Sequence, residues 1–160
     1  MAALAREATA DVSVFLVGGT SAVLLGWRDS TMDVDLAMRP ENDGMLRAIP
    51  LLKERLRLNV EFASPDLFIP VPAGWEARSA FVTRIGRVTF YHFDLYAQAL
   101  AKVERGHTRD LADVRAMVER GLVDPREARA YFERLEPELY RFPALDAASF
   151  RAAVNAAFSG

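Results

Sequence analysis

Two patterns of apolar spacing divide this chain. Up to about residue 93, short apolar or alternating runs dominate, whereas from 94 onward apolar positions recur at helical spacing. Residues 3–10 read as a short helix and 12–17 as a buried strand that ends at Gly18-Gly19. Residues 20–27 predict a helix started by Thr20 or Ser21. Residues 33–38 alternate Asp33, Asp35 and Ala37 with Val34, Leu36 and Met38, the pattern of a half-buried strand. A helix is expected over 43–56 despite Pro50, a residue able to break or kink it. Over 58–62, Leu58, Val60 and Phe62 fall on one side of a strand and Asn59 and Glu61 on the other. Pro65, Pro70 and Pro72 mark 64–74 as a long loop, and 79–85 with 87–93 predict a hairpin turning near Gly86. Helices follow over 95–105, 109–120, 125–136 and about 146–158. The expected fold class is α+β: a mixed sheet with helices and a helical C-terminal part. It forms a single domain over 1–160, with an α/β front over 1–93 and a helical back over 94–160.

Composition narrows the function. The chain has 160 residues, 51% of them hydrophobic, and a formal net charge of -2. That balance argues against a surface coated in basic charge for general nucleic-acid binding, but leaves room for a local basic groove. There is no cysteine, which excludes disulfides and thiolate chemistry, and two histidines are a poor basis for a zinc site. Arg6, Glu7 and Asp11 precede the first short apolar run, a pattern that fits neither a signal peptide nor a membrane span. A cytoplasmic location is the expectation.

The chemistry concentrates near the start. On a strand, Asp33 and Asp35 face the same side while Val34 and Leu36 face the other. Two like charges held that close repel unless a cation sits between them. Magnesium, or manganese, suits two hard carboxylate oxygens, and substrate phosphates complete its shell. A pair of solvated acids on a strand edge is the alternative reading. Gly18 and Gly19 close one strand and open a helix, where backbone N–H groups favour an anion and no Cβ blocks its approach. Thr20 and Ser21 add hydroxyl donors. Alone, such a turn is only a tight turn with a helix cap. Together with the acid pair it describes a phosphate cradle facing a metal site.

These residues resemble a known signature. Gly18-Gly19-Thr20-Ser21 followed by Asp33-Val34-Asp35-Leu36 is similar to the glycine and twin-acid motif of the nucleotidyltransferase superfamily, with its polymerase-beta-like fold. A closer likeness is to small bacterial nucleotidyltransferases of the AbiEii and MenT type, from abortive-infection and toxin–antitoxin systems. Those carry an Arg and a Thr or Ser before the twin acids, as do Arg28, Ser30 and Thr31 here, and a later helical Lys with an Arg-Asp-x-x-Asp element. Lys102 and Arg109-Asp110-Leu111-Ala112-Asp113 match that element. The resemblance implies that Lys102 binds nucleotide phosphate and that Asp110 orients Lys102 or the active site. It also implies a third carboxylate from a later strand, which helps activate the incoming hydroxyl. Glu61 is the choice by strand alternation, with Asp66 and Asp94 as competitors; Asp94 also reads as the N-cap of helix 95–105.

The later element has its own physical reading. Gln98, Lys102, Arg105 and Arg109 stand three or four residues apart and predict one polar, basic helical stripe. Gly106 stops the first helix, Thr108 caps the second, and Asp110 falls in the first turn, where the helix dipole favours an acid. By that reading Lys102 is a solvated lysine. His92 and His107 read as structural, and Trp27, Trp75 and Tyr91 as core before base-stacking groups.

The expected function is metal-dependent transfer of a nucleoside monophosphate from a nucleoside triphosphate to an acceptor hydroxyl. By resemblance the acceptor is RNA, such as a tRNA end, and the chain is a toxin with a cognate antitoxin. Alternatives are a protein of this fold that binds nucleotide or a partner without turnover, and transfer to a small molecule or a protein side chain.

Overall fold

A computed structural model describes residues 1–159. The chain forms two compact units, one made of Met1–Ser64 and Arg78–Phe93, the other of Pro65–Ala77 and the chain from Asp94 onward.

The first unit is built on a five-stranded mixed sheet. Its strands are β1 (Val12–Val17), β2 (Asp33–Arg39), β3 (Asn59–Phe62), β4 (Ala80–Ile85) and β5 (Val88–His92), in the order β3-β2-β1-β5-β4. β1 pairs antiparallel with β2 and parallel with β5, β2 pairs parallel with β3, and β4 and β5 form the hairpin that turns at Gly86 with φ +58°. α2 (Gly18–Leu24) leads out of β1, and α3 (Asp43–Leu56) makes the crossover that the parallel β2–β3 pair requires. Alternation then sorts the faces. Val12, Val14, Leu16, Leu36, Met38, Val88 and Phe90 form one buried core with Ala5 of α1 (Ala2–Ala5) and Met45 of α3. Asp33, Asp35 and their register partners point the other way.

One element differs from expectation for an identifiable reason. α1 stops at Ala5 because the chain after it is drawn onto the start of α3: Thr9 donates from its backbone N–H and its hydroxyl to Asn42 Oδ1, the oxygen that also caps Met45 N. α3 has the expected bounds, with Pro50 inside it. Pro50 lies on the exposed side, where water can serve the carbonyl that its missing N–H leaves open, while Met45, Ile49 and Leu52 anchor the buried side.

In the helical unit, α5 (Leu95–Arg105), α6 (Thr108–Glu119), α7 (Pro125–Leu135) and α8 (Ala147–Ala157) lie within two residues of the predicted bounds. Their ends carry the expected signals. Asp94, Asp124 and Asp146 accept backbone N–H groups at the starts of α5, α7 and α8, and Gly106 ends α5 in the left-handed region at φ +67°. Thr108 is the first residue of α6 and its cap is His107, without a side-chain bond. The predicted loop holds a 3-10 turn, Pro65–Leu67, and Ile69 is fully buried. A short α4 (Trp75–Arg78) follows. Tyr96 stacks on Tyr131 with centroids 5.9 Å apart, and the Tyr131 hydroxyl donates to Asp94 at 2.9 Å. Among the described residues no helix is long and apolar enough to cross a membrane.

Candidate active site

Register alone brings the first group of predicted residues together. β1 ends with Val17 paired to Asp35, so the next residue, Gly18, lies against that acid. A Cβ built on Gly18 would stand 3.2 Å from Asp35 Oδ2, and the residue sits at φ +60°, a conformation that disfavours any side chain. Gly19 is buried, and a Cβ there would collide with Thr31 Oγ1 and come within 3.4 Å of Arg28 Nη1. The missing side chain at 19 is therefore filled by the two residues that precede the twin acids in the resemblance. Arg28 and Thr31 are drawn onto the glycine turn.

Hydroxyls tie the turn to the acid strand. Thr31 donates to the Asp33 carbonyl at 3.0 Å and accepts the Asp33 N–H at 3.2 Å, and Thr20 donates to the same carbonyl at 3.4 Å. Ser21 differs from expectation. Its hydroxyl is 1% exposed and donates to the Leu16 carbonyl at 3.0 Å, so it faces the core and is spent before any nucleotide arrives.

On the next strand, Asp33 is opposite Asn59 and Asp35 is opposite Glu61. Asp33 and Glu61 are exposed and Asp35 is half-buried. Asn59 Nδ2 donates to Glu61 Oε1 at 2.9 Å and to Asp33 Oδ1 at 3.3 Å, an amide placed between two carboxylates. Asn59 was not among the expected site residues. The alternation that put it on the side of Glu61 was the signal for it. Of the competing third acids, Asp94 is occupied in the helical unit by Tyr96 N and Tyr131 Oη, and Asp66 lies in the 3-10 turn.

Two carboxylates on one face of a strand fit a hard divalent ion that keeps phosphate oxygens and water in the rest of its shell. Among the described residues no group of three or more His, Asp or Glu side chains could hold a metal by itself.

Lys102 and Asp110 lie in the helical unit and meet each other there. Lys102 Nζ donates to Asp110 Oδ1 at 3.0 Å and to Asp113 Oδ2 at 2.6 Å, while Arg105 reaches Asp110 with Nε at 3.0 Å and Nη2 at 2.7 Å. Burial raises the Asp110 carboxyl, but the hydrogen bonds and charges of Arg105 and Lys102 outweigh it and hold the group below its ordinary range. The expected stripe is thus turned inward at Gln98 and Lys102, which are 3% and 5% exposed. The solvated lysine of the physical reading is absent, because each buried charge has its counter-charge.

Trp75 is buried, whereas Trp27 and Tyr91 are half-buried, Tyr91 stacked on Phe15. His107 is exposed and His92 buried.

A family model described as a nucleotidyltransferase of unknown function (DUF6036) matches residues 1–136, which include the glycine turn, the twin acids and the Lys102 cluster. No curated protein and no solved structure matches the chain. The matched span and the α+β fold together place it: the chain belongs to this DUF6036 family of nucleotidyltransferases.

Proposed function

We propose that the chain transfers a nucleoside monophosphate from a nucleoside triphosphate to an acceptor hydroxyl at the end of the sheet where Gly18, Asp35 and Glu61 meet. One observation carries the reading: the Val17–Asp35 and Asp35–Glu61 register pairs bring the turn, the twin acids and a third acid onto adjoining positions of three strands.

Asp33 and Asp35 would hold magnesium or manganese, which when bound supplies positive charge against the triphosphate. The chain's own groups do the rest. Gly19 lets Arg28 close on the turn, where its guanidinium is a cationic partner for the triphosphate. Glu61, opposite Asp35, takes the proton of the attacking hydroxyl as it displaces pyrophosphate in line. Thr20 and Thr31 hold the Asp33 backbone, so the acid pair keeps its place during the exchange.

The likeness of Arg28 and Thr31 to the AbiEii and MenT type supports an RNA acceptor, such as a tRNA end, and a toxin paired with an antitoxin. Incubation with each labelled triphosphate, magnesium and total RNA or cell lysate tests this. Label in RNA is the expected outcome. Label in protein or a small molecule moves the acceptor to another class, and no label with any triphosphate removes the transferase reading.

For Lys102 a second reading is favoured by its contacts. The resemblance gives it to the phosphates, but two carboxylates already hold its ammonium. In that second reading Lys102 clamps α5 to α6, and Asp110 serves the clamp. Lys102→Met that still binds triphosphate where it remains folded supports the clamp, and lost binding with the fold intact returns Lys102 to the phosphates.

A further inference from the structure

The two histidines have different surroundings. His107 is exposed at the start of α6, whereas His92 is 5% exposed at the end of β5, opposite Leu16 in the parallel register. His92 Nδ1 stands 2.9 Å from the Ser21 oxygen, and that oxygen stands 3.0 Å from the Leu16 carbonyl. One hydrogen decides the arrangement. A carbonyl has none to give, so the single hydroxyl hydrogen of Ser21 must point at Leu16 O. If it turned to His92, two bare oxygens would face each other inside the protein. The contact to His92 is then filled from the imidazole side, which puts a hydrogen on Nδ1. The Phe93 N–H also donates to Leu16 O, at 2.9 Å, so both lone pairs of that carbonyl are used.

We propose that His92, as the Nδ1–H tautomer, is a positioning residue that locks Ser21 onto β1 and so fixes the glycine turn beside Asp35. The lock grips the chain on both sides of the turn: Leu16 comes just before Gly18-Gly19 and Ser21 just after, and His92 braces them from the neighbouring strand. Gly18 needs such a brace, because glycine leaves the turn free to adopt other conformations. Burial lowers the His92 pKa below its ordinary value of 6.5, in keeping with a neutral ring at neutral pH. The role in binding rests on the nucleotide reading of the turn; the tautomer does not.

Long-range 1H–15N correlation spectra of the full chain test the tautomer directly, since there are only two histidines and His107→Gln assigns them. The expected spectrum shows His92 with a protonated Nδ1 and a bare Nε2. An Nε2–H tautomer, or averaging between the two, overturns the lock. Titration with each of the four magnesium nucleoside triphosphates tests the role. His92→Phe should weaken binding about tenfold at a temperature where it is folded by circular dichroism. His92→Asn, whose amide N–H can occupy the place of Nδ1–H, should return to within about threefold of wild type. Equal binding by His92→Phe, or no rescue by His92→Asn, overturns the role. If His92→Phe does not fold, the spectrum and His92→Asn carry the decision. A wild type that binds none of the four triphosphates overturns the nucleotide reading and this role with it, and the spectrum still decides the lock.

Discussion

At the end of the sheet, Asp33, Asp35 and Glu61 bring three carboxylates onto one face, with the Asn59 amide between two of them. In the helical unit, Asp110 and Asp113 are matched by Lys102 and Arg105, and all but Arg105 are closed off from water. The first group sets three like charges on residues that are exposed or half-buried. The second is balanced internally, and its interaction energy goes into holding two helices together. Similar residue types thus stand open to water in one place and closed off from it in the other. Burial tells the two apart.

Removing one member of the closed group should have the largest effect on stability. Lys102→Met leaves two buried carboxylates without their shared ammonium and should cost about 3–5 kcal/mol in urea unfolding. Adding Asp110→Asn and Asp113→Asn to it should recover part of that loss. A single variant as stable as wild type would put the cluster in the same class as the open acids.

A smaller effect is expected where the turn meets its cover. Gly19→Ala must displace Thr31 and should lower stability by about 1–3 kcal/mol, read from thermal melting. It should also weaken triphosphate binding, because Thr31 holds Asp33. Unchanged binding would separate the turn from the acids.

The open group should be nearly silent in stability. Asp33→Asn should change it by less than about 0.5 kcal/mol, as for other exposed positions. A cost as large as that of Lys102→Met would erase the contrast between the two groups.

Acid titration should show the smallest effects. The Asp110 carboxyl has a folded pKa below its ordinary 3.8, so its contribution is complete above that pH and is lost as pH falls through the lowered value. Asp110→Asn should flatten that part of the unfolding curve. His92, lowered from 6.5 by burial, acts in a higher window: stability is full above pH 6.5 and declines below it towards the lowered value. His92→Asn should remove that decline.

Much of the fold was legible because local signals and tertiary packing agree. The alternation over 33–38, the caps Asp94 and Asp124, and Gly106 each act within a few residues of the element they define. The end of α1 was not legible, since it depends on Asn42, more than thirty residues away. At the site, period-two alternation put Glu61 and Asn59 on one side, but only the β2–β3 register shows that this is the side of Asp33 and Asp35. Ser21 was misread because a hydroxyl after a glycine turn can face either the ligand or the core, and the deciding partner, His92, is on another strand. Spacing likewise gives Lys102 a helical face without saying that the acids of α6 pack on it.

The central claim is that the acid end of the sheet is where a nucleotide and its metal bind. Its most direct test is calorimetric titration of each nucleoside triphosphate into wild type and Asp35→Asn, with and without magnesium. The wild type should bind at least one triphosphate only when magnesium is present, and Asp35→Asn should give no binding heat at the same concentrations while melting at the wild-type temperature. Equal, magnesium-dependent binding by both proteins would contradict the claim.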